Sequence, residues 1–253
     1  GLPANPSFNV PNTNPPGWLQ VHQPLGAKEI KQLNDSFNLR VEAVQAVDRM
    51  IGDMMAKLAQ SGLDKNTYIV FSSDNGYHMG EYRLNPGKQT AFDTDINVPL
   101  IVSGPGVPAG RTAPQLASNI DLNPTLLTLA GLPVPATVDG HSLAGIWHGQ
   151  NPAGWRQAIL IEHHGPDNIP GDPDRQDRAS GIPPSYEAVR TAAALYVAYD
   201  NGDREYYDTT TDPYELDNIV SHGVPGNLGS ALKAMENCHS GAACWAAAHL
   251  SNP

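Results

Sequence analysis

Between residues 35 and 60, Leu39, Val44, Val47, Ile51, Met54, Met55 and Leu58 recur at helical spacing. Asp35 stands where a cap belongs and Gly62 follows the last periodic position, so the pattern predicts an amphipathic helix. Met50, Met54 and Met55 read as core filling on its apolar side. After a turn-like Leu63-Asp64-Lys65-Asn66, the β-branched and aromatic run Thr67-Tyr68-Ile69-Val70-Phe71 predicts a strand buried on both faces, ended by Asp74-Asn75-Gly76. Val98-Pro99-Leu100-Ile101-Val102 predicts a second strand, and a helix capped by Asp121 is expected to run through Leu126 and Leu129 to Gly131. Later, Leu195-Tyr196-Val197-Ala198-Tyr199 and Glu205-Tyr206-Tyr207 flank Asn201-Gly202, a hairpin signal. A last helix from about Leu228 is expected to carry both cysteines. Helix, strand, strand, helix on this scale indicates an open α/β sheet.

Two stretches break these periodicities. Residues 1–26 hold Pro3, Pro6, Pro11, Pro15, Pro16 and Pro24, which exclude helix or central strand and predict an extended surface segment. Residues 163–185, rich in Pro, Gly and Asp, read as one long loop. The division that follows is an extended segment at 1–26, an α/β portion at 27–162, the loop at 163–185 and a C-terminal subdomain at 186–253.

At 253 residues the chain is long enough to bury a core, and its net charge of -11 argues against wrapping a phosphate backbone, so nucleic acid is excluded as a partner. No stretch approaches the ~20 apolar residues of a membrane span. The chain opens on Gly1-Leu2-Pro3 without an initiator Met or signal peptide, which reads as a processing or fragment boundary. Cys238 and Cys244 are the two cysteines; a disulfide in an oxidising compartment and two free thiols in a reducing one both fit their spacing.

The segment richest in chemistry is Ser72-Ser73-Asp74-Asn75-Gly76-Tyr77-His78-Met79-Gly80-Glu81, followed by Gly87-Lys88. Ligands of open α/β sheets collect beyond the carboxyl ends of strands, where Asp74 and Asn75 fall. A carboxylate and an amide oxygen suit a hard cation, Ca²⁺ or Mg²⁺, and Lys88 can set a positive charge against an oxyanion beside it. Taken alone, Asp-Asn-Gly is also an everyday turn. Rival motifs fail: a P-loop ending at Gly87-Lys88 would need glycine at Tyr82, and Gly104-x-Gly106 is followed by Pro108 and Pro114 where a helix would have to open. His163 and His164 point to opposite faces of a strand and do not share one ion, although either suits a pocket rim.

From Thr67 to Gly149 the chain resembles the sulfatase family, in its glucosamine-6-sulfatase-like and bacterial arylsulfatase-like branches. The resemblance rests on Ser73 to Glu81, Gly87-Lys88, Val98-Pro99-Leu100-Ile101, Gly104-Pro105-Gly106, Asn119-Ile120-Asp121-Leu122 and Asp139-Gly140-His141-Ser142-Leu143, in that order, with Tyr206-Tyr207-Asp208 and Asp212-Pro213-Tyr214-Glu215 beyond. It implies an alkaline-phosphatase-like α/β sandwich, incomplete here, with a small C-terminal hairpin-plus-helix region. It implies calcium ligation by Asp74 and Asn75 (magnesium being the lesser alternative), a catalytic sulfate contact by Lys88, and a catalytic, substrate-touching place on the pocket wall for His78, with a histidine satisfied within the turn as the alternative; His163, at the pocket rim, is the further substrate-binding candidate. Glu81 and Arg83 are further candidates, a surface ion pair between them being the plainer reading.

Sulfatases attack with a formylglycine made from Cys or Ser in a Cys/Ser-x-Pro-x-Arg motif, and these residues contain none: Ser103-Gly104-Pro105-Gly106-Val107 ends in Val. The expectation is therefore a sulfuric ester hydrolase for a sulfated small molecule or sugar, with formylglycine on an N-terminal sulfatase portion that acts as partner. An inert binding or structural module and a phosphoester or phosphonate hydrolase are the alternatives. The implied compartment is secreted or periplasmic, lysosomal in a eukaryote, where Cys238 and Cys244 would form a disulfide.

Overall fold

A computed structural model describes residues 1–165 and 175–250. Residues 166–174, inside the expected long loop, and 251–253 lie outside the described residues. In chain order the helices and strands are α1 (Gly17–Gln20), α2 (Ala27–Gln60), β1 (Ile69–Ser72), α3 (Asp93–Ile96), β2 (Leu100–Ser103), α4 (Leu122–Leu129), α5 (Ala144–Trp147), β3 (Ala158–His163), β4 (Tyr186–Thr191), β5 (Ala194–Tyr199), β6 (Arg204–Asp208), α6 (Gly226–Glu236) and α7 (Gly241–Ala247).

Period-two alternation builds the larger sheet, an antiparallel meander in the order β3-β4-β5-β6. Leu195, Val197 and Tyr199 of β5, with Tyr186, Ala188 and Tyr207, face a core completed by Leu19, Tyr82, Leu84 and Phe92. Ala194, Tyr196 and Ala198 face the other way, with Val189, onto Leu228, Leu232 and Met235 of α6 and Ala248 just after α7. Both faces are thus covered. The β5–β6 hairpin turns at Asn201-Gly202 as the sequence predicts, Gly202 supplying φ +97°.

The smaller sheet holds β1 and β2 alone, paired antiparallel with Ser72 opposite Leu100. Val70, Leu100 and Val102 pack on Leu143, Ile146 and Trp147, while Phe71 and Ile101 on the opposite face are exposed. Burial on both faces, expected for β1, is therefore not met.

The long helix also departs from expectation. It begins at Ala27 after Gly26, and Asp35 lies inside it, paired with Lys31 one turn back. Its periodic face is not core: Leu33 is its one buried residue, and Leu39, Val44, Val47, Met50, Met54 and Met55 are exposed. Asp121 differs too. Its buried carboxylate accepts from the Ser118 and His141 amides and from the Arg156 guanidinium instead of capping α4 by its side chain. Near the C-terminus the single expected helix is two: Cys238 sits in the turn after α6 and Cys244 in α7, and a disulfide joins them across 5.0 Å between Cα atoms.

The proline-rich segment is a strap with buried anchors. Asn9 donates its amide to the Gly80 carbonyl and Tyr82 to that of Ser7, while Thr13 donates to the Leu216 carbonyl and accepts from the Asn218 amide. Asn12, buried, reaches Tyr207 Oη and the Glu215 carbonyl, and α1 inserts Leu19 into the core. Beneath the strap lies Glu205, which accepts from the hydroxyls of both Tyr199 and Tyr207. Burial pushes its carboxyl up to about 7, against the pull of those two donors. A carboxyl raised in the folded chain keeps its proton there after the unfolded chain has lost it. Its contribution to stability is full below about 4.5 and is lost as pH rises through about 7. Glu205→Gln is expected to flatten the fall of the urea midpoint between about pH 5 and 8; a slope equal to that of the parent chain would refute the assignment.

Candidate active site

The chain leaving β1 is zipped onto α3. Gly76 donates to the Asp95 carbonyl at 2.7 Å and Tyr77 to that of Thr94 at 2.8 Å. Glycine is obligatory there, because a Cβ on Gly76 would lie 2.8 Å from Asp95 Cα and closer still to the Thr94 carbonyl oxygen. His78 and Gly87 then exchange a pair of backbone bonds, closing 78–87 into a loop that presents Lys88. Gly87 is equally constrained, its missing Cβ falling 2.8 Å from His78 Nε2 and from Ser180 Cβ.

Asp95 fastens the inside of this loop. Its carboxylate meets His78 Nδ1 at 3.0 Å and accepts from Thr90 N at 2.9 Å and Thr90 Oγ1 at 2.7 Å. His78 Nε2 stands 2.8 Å from the Ser180 carbonyl, which can only accept, so Nε2 carries a proton. The expectation that His78 stands on the pocket wall and touches substrate is corrected here: the ring is fully buried and both nitrogens are engaged. On the outside, Gln176 brackets the Lys88 peptide, accepting from its N–H and donating to its carbonyl. Gln89, next in line, adopts φ +85°, a left-handed conformation costly for a residue with a Cβ.

Lys88 Nζ donates to Asn75 Oδ1 at 3.2 Å. The neighbouring Asp74 is exposed; its Oδ1 accepts from the Asn75 amide at 2.9 Å, and its Oδ2 accepts no hydrogen bond among the described residues. Asp74 and Asn75 line a cavity of about 830 Å³ that reaches Asp139, Arg156 and Arg190. The structure thus brings Asp74, Asn75 and Lys88 together and sets His78 behind them. His163 is one side chain further off: its ring lies 5.3 Å from that of Tyr186, whose hydroxyl donates to the Gln89 carbonyl. Burial lowers the His163 pKa, and its Nε2 is without a partner among the described residues. Glu81 and Arg83 form no ion pair; Glu81 is buried and accepts from the Met79 amide and from Asn5 Nδ2.

The donor set has the chemistry of a hard cation site, with one open carboxylate oxygen and one amide oxygen. Among the described residues there is no group of three His, Cys, Asp or Glu able to hold a metal. Two oxygens are well short of the ~6 to 8 that calcium takes.

Sequence reasoning missed Asp95, Thr90, Gln176 and Ser180. Their partners lie 5 to 102 positions away, and no spacing rule connects them.

Residues 8–132 match the family model for sulfatases, and residues 80–237 match that for the N-sulphoglucosamine sulphohydrolase C-terminal region. The human N-acetylglucosamine-6-sulfatase is 33% identical over 96% of this chain and 48% of its own. A structure solved in complex with its substrate, D-glucosamine-2-N,6-O-disulfate, superposes with a TM-score of 0.62 at 29% identity, over 76% of this chain and 37% of that one. The phosphonate monoester hydrolase of Agrobacterium radiobacter gives 0.59 at 31% identity, over 70% and 35%. The architecture is that of an alkaline-phosphatase-like α/β fold. The chain belongs to the sulfatase family, and it spans about half the length of the curated relative described above, 48% of the human protein.

Replacing Asp95 by Ala leaves buried His78 and Thr90 donors unmatched. The expected cost is roughly 3 to 5 kcal/mol in urea unfolding, with faster amide exchange at residues 76–90 than in β5. Wild-type exchange in that loop would show that Asp95 does not hold it.

Proposed function

We propose that the chain is the sulfate-contacting part of a sulfuric ester hydrolase that acts on a sulfated small molecule or sugar. The observation that carries this reading is Lys88 Nζ, 3.2 Å from Asn75 Oδ1, beside the open carboxylate oxygen of Asp74. In it, Asp74 and Asn75 contribute two oxygen ligands to Ca²⁺, with Mg²⁺ the lesser alternative. Lys88 counters charge on the sulfate oxygens, and the buried His78 holds the loop that positions Lys88. His163, beyond Tyr186, is the candidate for contact with the sugar. Calcium, when bound, supplies charge neutralisation at the ester.

The nucleophile is assigned to a formylglycine-bearing N-terminal portion. What supports such a partner is the absence of a Cys/Ser-x-Pro-x-Arg motif from these residues, together with the exposed apolar faces of α2 and of β1–β2. The disulfide supports an oxidising compartment, secreted, periplasmic or lysosomal. No helix among the described residues is long and apolar enough to cross a membrane. Similarity to a phosphonate monoester hydrolase supports a second reading in which the ester is a phosphonate or phosphate.

The test is hydrolysis of an aryl sulfate and an aryl phosphonate with calcium. The chain alone is expected to turn over neither. Combined with a formylglycine-bearing N-terminal portion it is expected to cleave the sulfate, and Asp74→Ala or Lys88→Ala to lower that rate by about 100-fold or more. Preference for the phosphonate selects the second reading, and a combination that binds but never turns over selects an inert module.

A further inference from the structure

A second cavity, of about 660 Å³, is walled in part by the loop that leads to Lys88. Its walls are residues 21–26 ahead of α2, Glu29 in the first turn of that helix, Arg83 and Asn85 from the 78–87 loop, and Arg178 with Ala179. In a chain of net charge -11, two arginines meeting in one cavity are a local reversal of sign. Neither guanidinium has a hydrogen-bond or ion-pair partner among the described residues, and Arg83 Nε is buried without one. Each guanidinium carries five N–H donors arranged to grip a carboxylate or sulfate, and leaving a buried one unmet is costly. By contrast, Arg156 and Arg190 each pair with an aspartate, although Arg156 Nε is also buried without a partner.

The backbone is bent to bring Arg83 there. Tyr82 and Arg83 both adopt left-handed conformations, at φ +54° and +67°. Successive residues with side chains rarely do so, and the cost is met by Tyr82, which stacks on Phe92 with ring centroids 4.0 Å apart. His22, also in the lining, has its pKa lowered by burial and then by His78. Glu29 is the opposing charge.

Two parts of the wall are tied through the chain to residues beside the ester site. Asn85 precedes Lys88 by three residues, at most ~11 Å of extended chain, and its amide donates to the Ala179 carbonyl. Gln176, which brackets the Lys88 peptide, precedes Arg178 by two.

We propose that this cavity is a second anion subsite, which takes a sulfate or carboxylate carried elsewhere on the saccharide whose sulfate ester faces Lys88. The inference rests on the sulfatase reading and adds to it a preference for doubly anionic substrates.

Calorimetric titration of the chain with three probes tests it: glucosamine-6-sulfate, glucosamine-2-N,6-O-disulfate, and a uronic acid–glucosamine-6-sulfate disaccharide. At least one doubly anionic probe is expected to bind about tenfold tighter than the monosulfate, and which one does so distinguishes sulfate from carboxylate. That advantage is expected to vanish in Arg83→Ala/Arg178→Ala and to grow in Glu29→Gln. Arg178→Ala alone, at an exposed position, is expected to reduce it with the thermal midpoint unchanged. Lys88→Ala is expected to weaken all three probes while keeping their ratio. Equal binding of the three probes, an advantage that survives loss of both arginines, or no binding of any probe would overturn the subsite. If Lys88→Ala leaves binding unchanged while the arginine variants abolish the advantage, the subsite stands and the ester-site reading fails.

Discussion

The candidate site depends on one buried carboxylate. Asp95 is almost wholly removed from water, and a charge so placed must have its acceptor capacity filled. It takes its donors from His78, on the chain leaving β1, and from Thr90, beyond the loop. Meeting that demand fixes the distance between the two ends of the segment that carries Lys88. His78 passes the constraint on to the Ser180 carbonyl, and through the neighbouring Gln176 the same stretch grips the Lys88 peptide. The exposed Asp74, Asn75 and Lys88 thus rest on a frame whose parts are themselves buried or bracketed.

The two sheets stand in unequal conditions. The four-stranded sheet has a core on each face and needs nothing more. The two-stranded sheet and α2 offer apolar side chains to solvent at Phe71, Ile101, Leu39, Val44 and Met50. A helix of this length, about 50 Å, with one buried residue is not held by its own packing. The asymmetry stands beside the partial coverage of the relatives, of which the chain spans 48% in the human protein and 37% in the substrate-bound structure.

Patterns that act over short range were legible in the sequence. The Asn201-Gly202 hairpin, the helical period of residues 35–60 and the stop at Gly131 all appear, because turn chemistry and side-chain period are local properties. The helix start was misplaced because Asp35 looks like a cap only if residues 27–34 are ignored. Burial was misjudged on α2 and β1 because periodicity reports a face without saying what covers it. Asp74, Asn75 and Lys88 were visible through resemblance to a family, since Asp-Asn-Gly alone reads as a turn. His78 was assigned outward from its place in that motif, and the interaction that turns it inward comes from Asp95, a residue no motif marked. His141 and Arg156 likewise reach Asp121 from 20 and 35 positions along the chain, joining the local contact from Ser118.

The proline-rich strap orders events in time. Asn12, Thr13 and Asn14 bind Tyr207, Glu215, Leu216 and Asn218, contacts that close loops of about two hundred residues. Such pairings are the slow step of folding, because the intervening chain must be organised before its ends can meet. On a ribosome residues 12–14 emerge well before residues 207–218 that seat them. The strap therefore waits while the intervening residues are made, and its prolines and asparagines suit it to that wait: a segment poor in hydrophobic side chains and poor in strand propensity finds few wrong partners meanwhile.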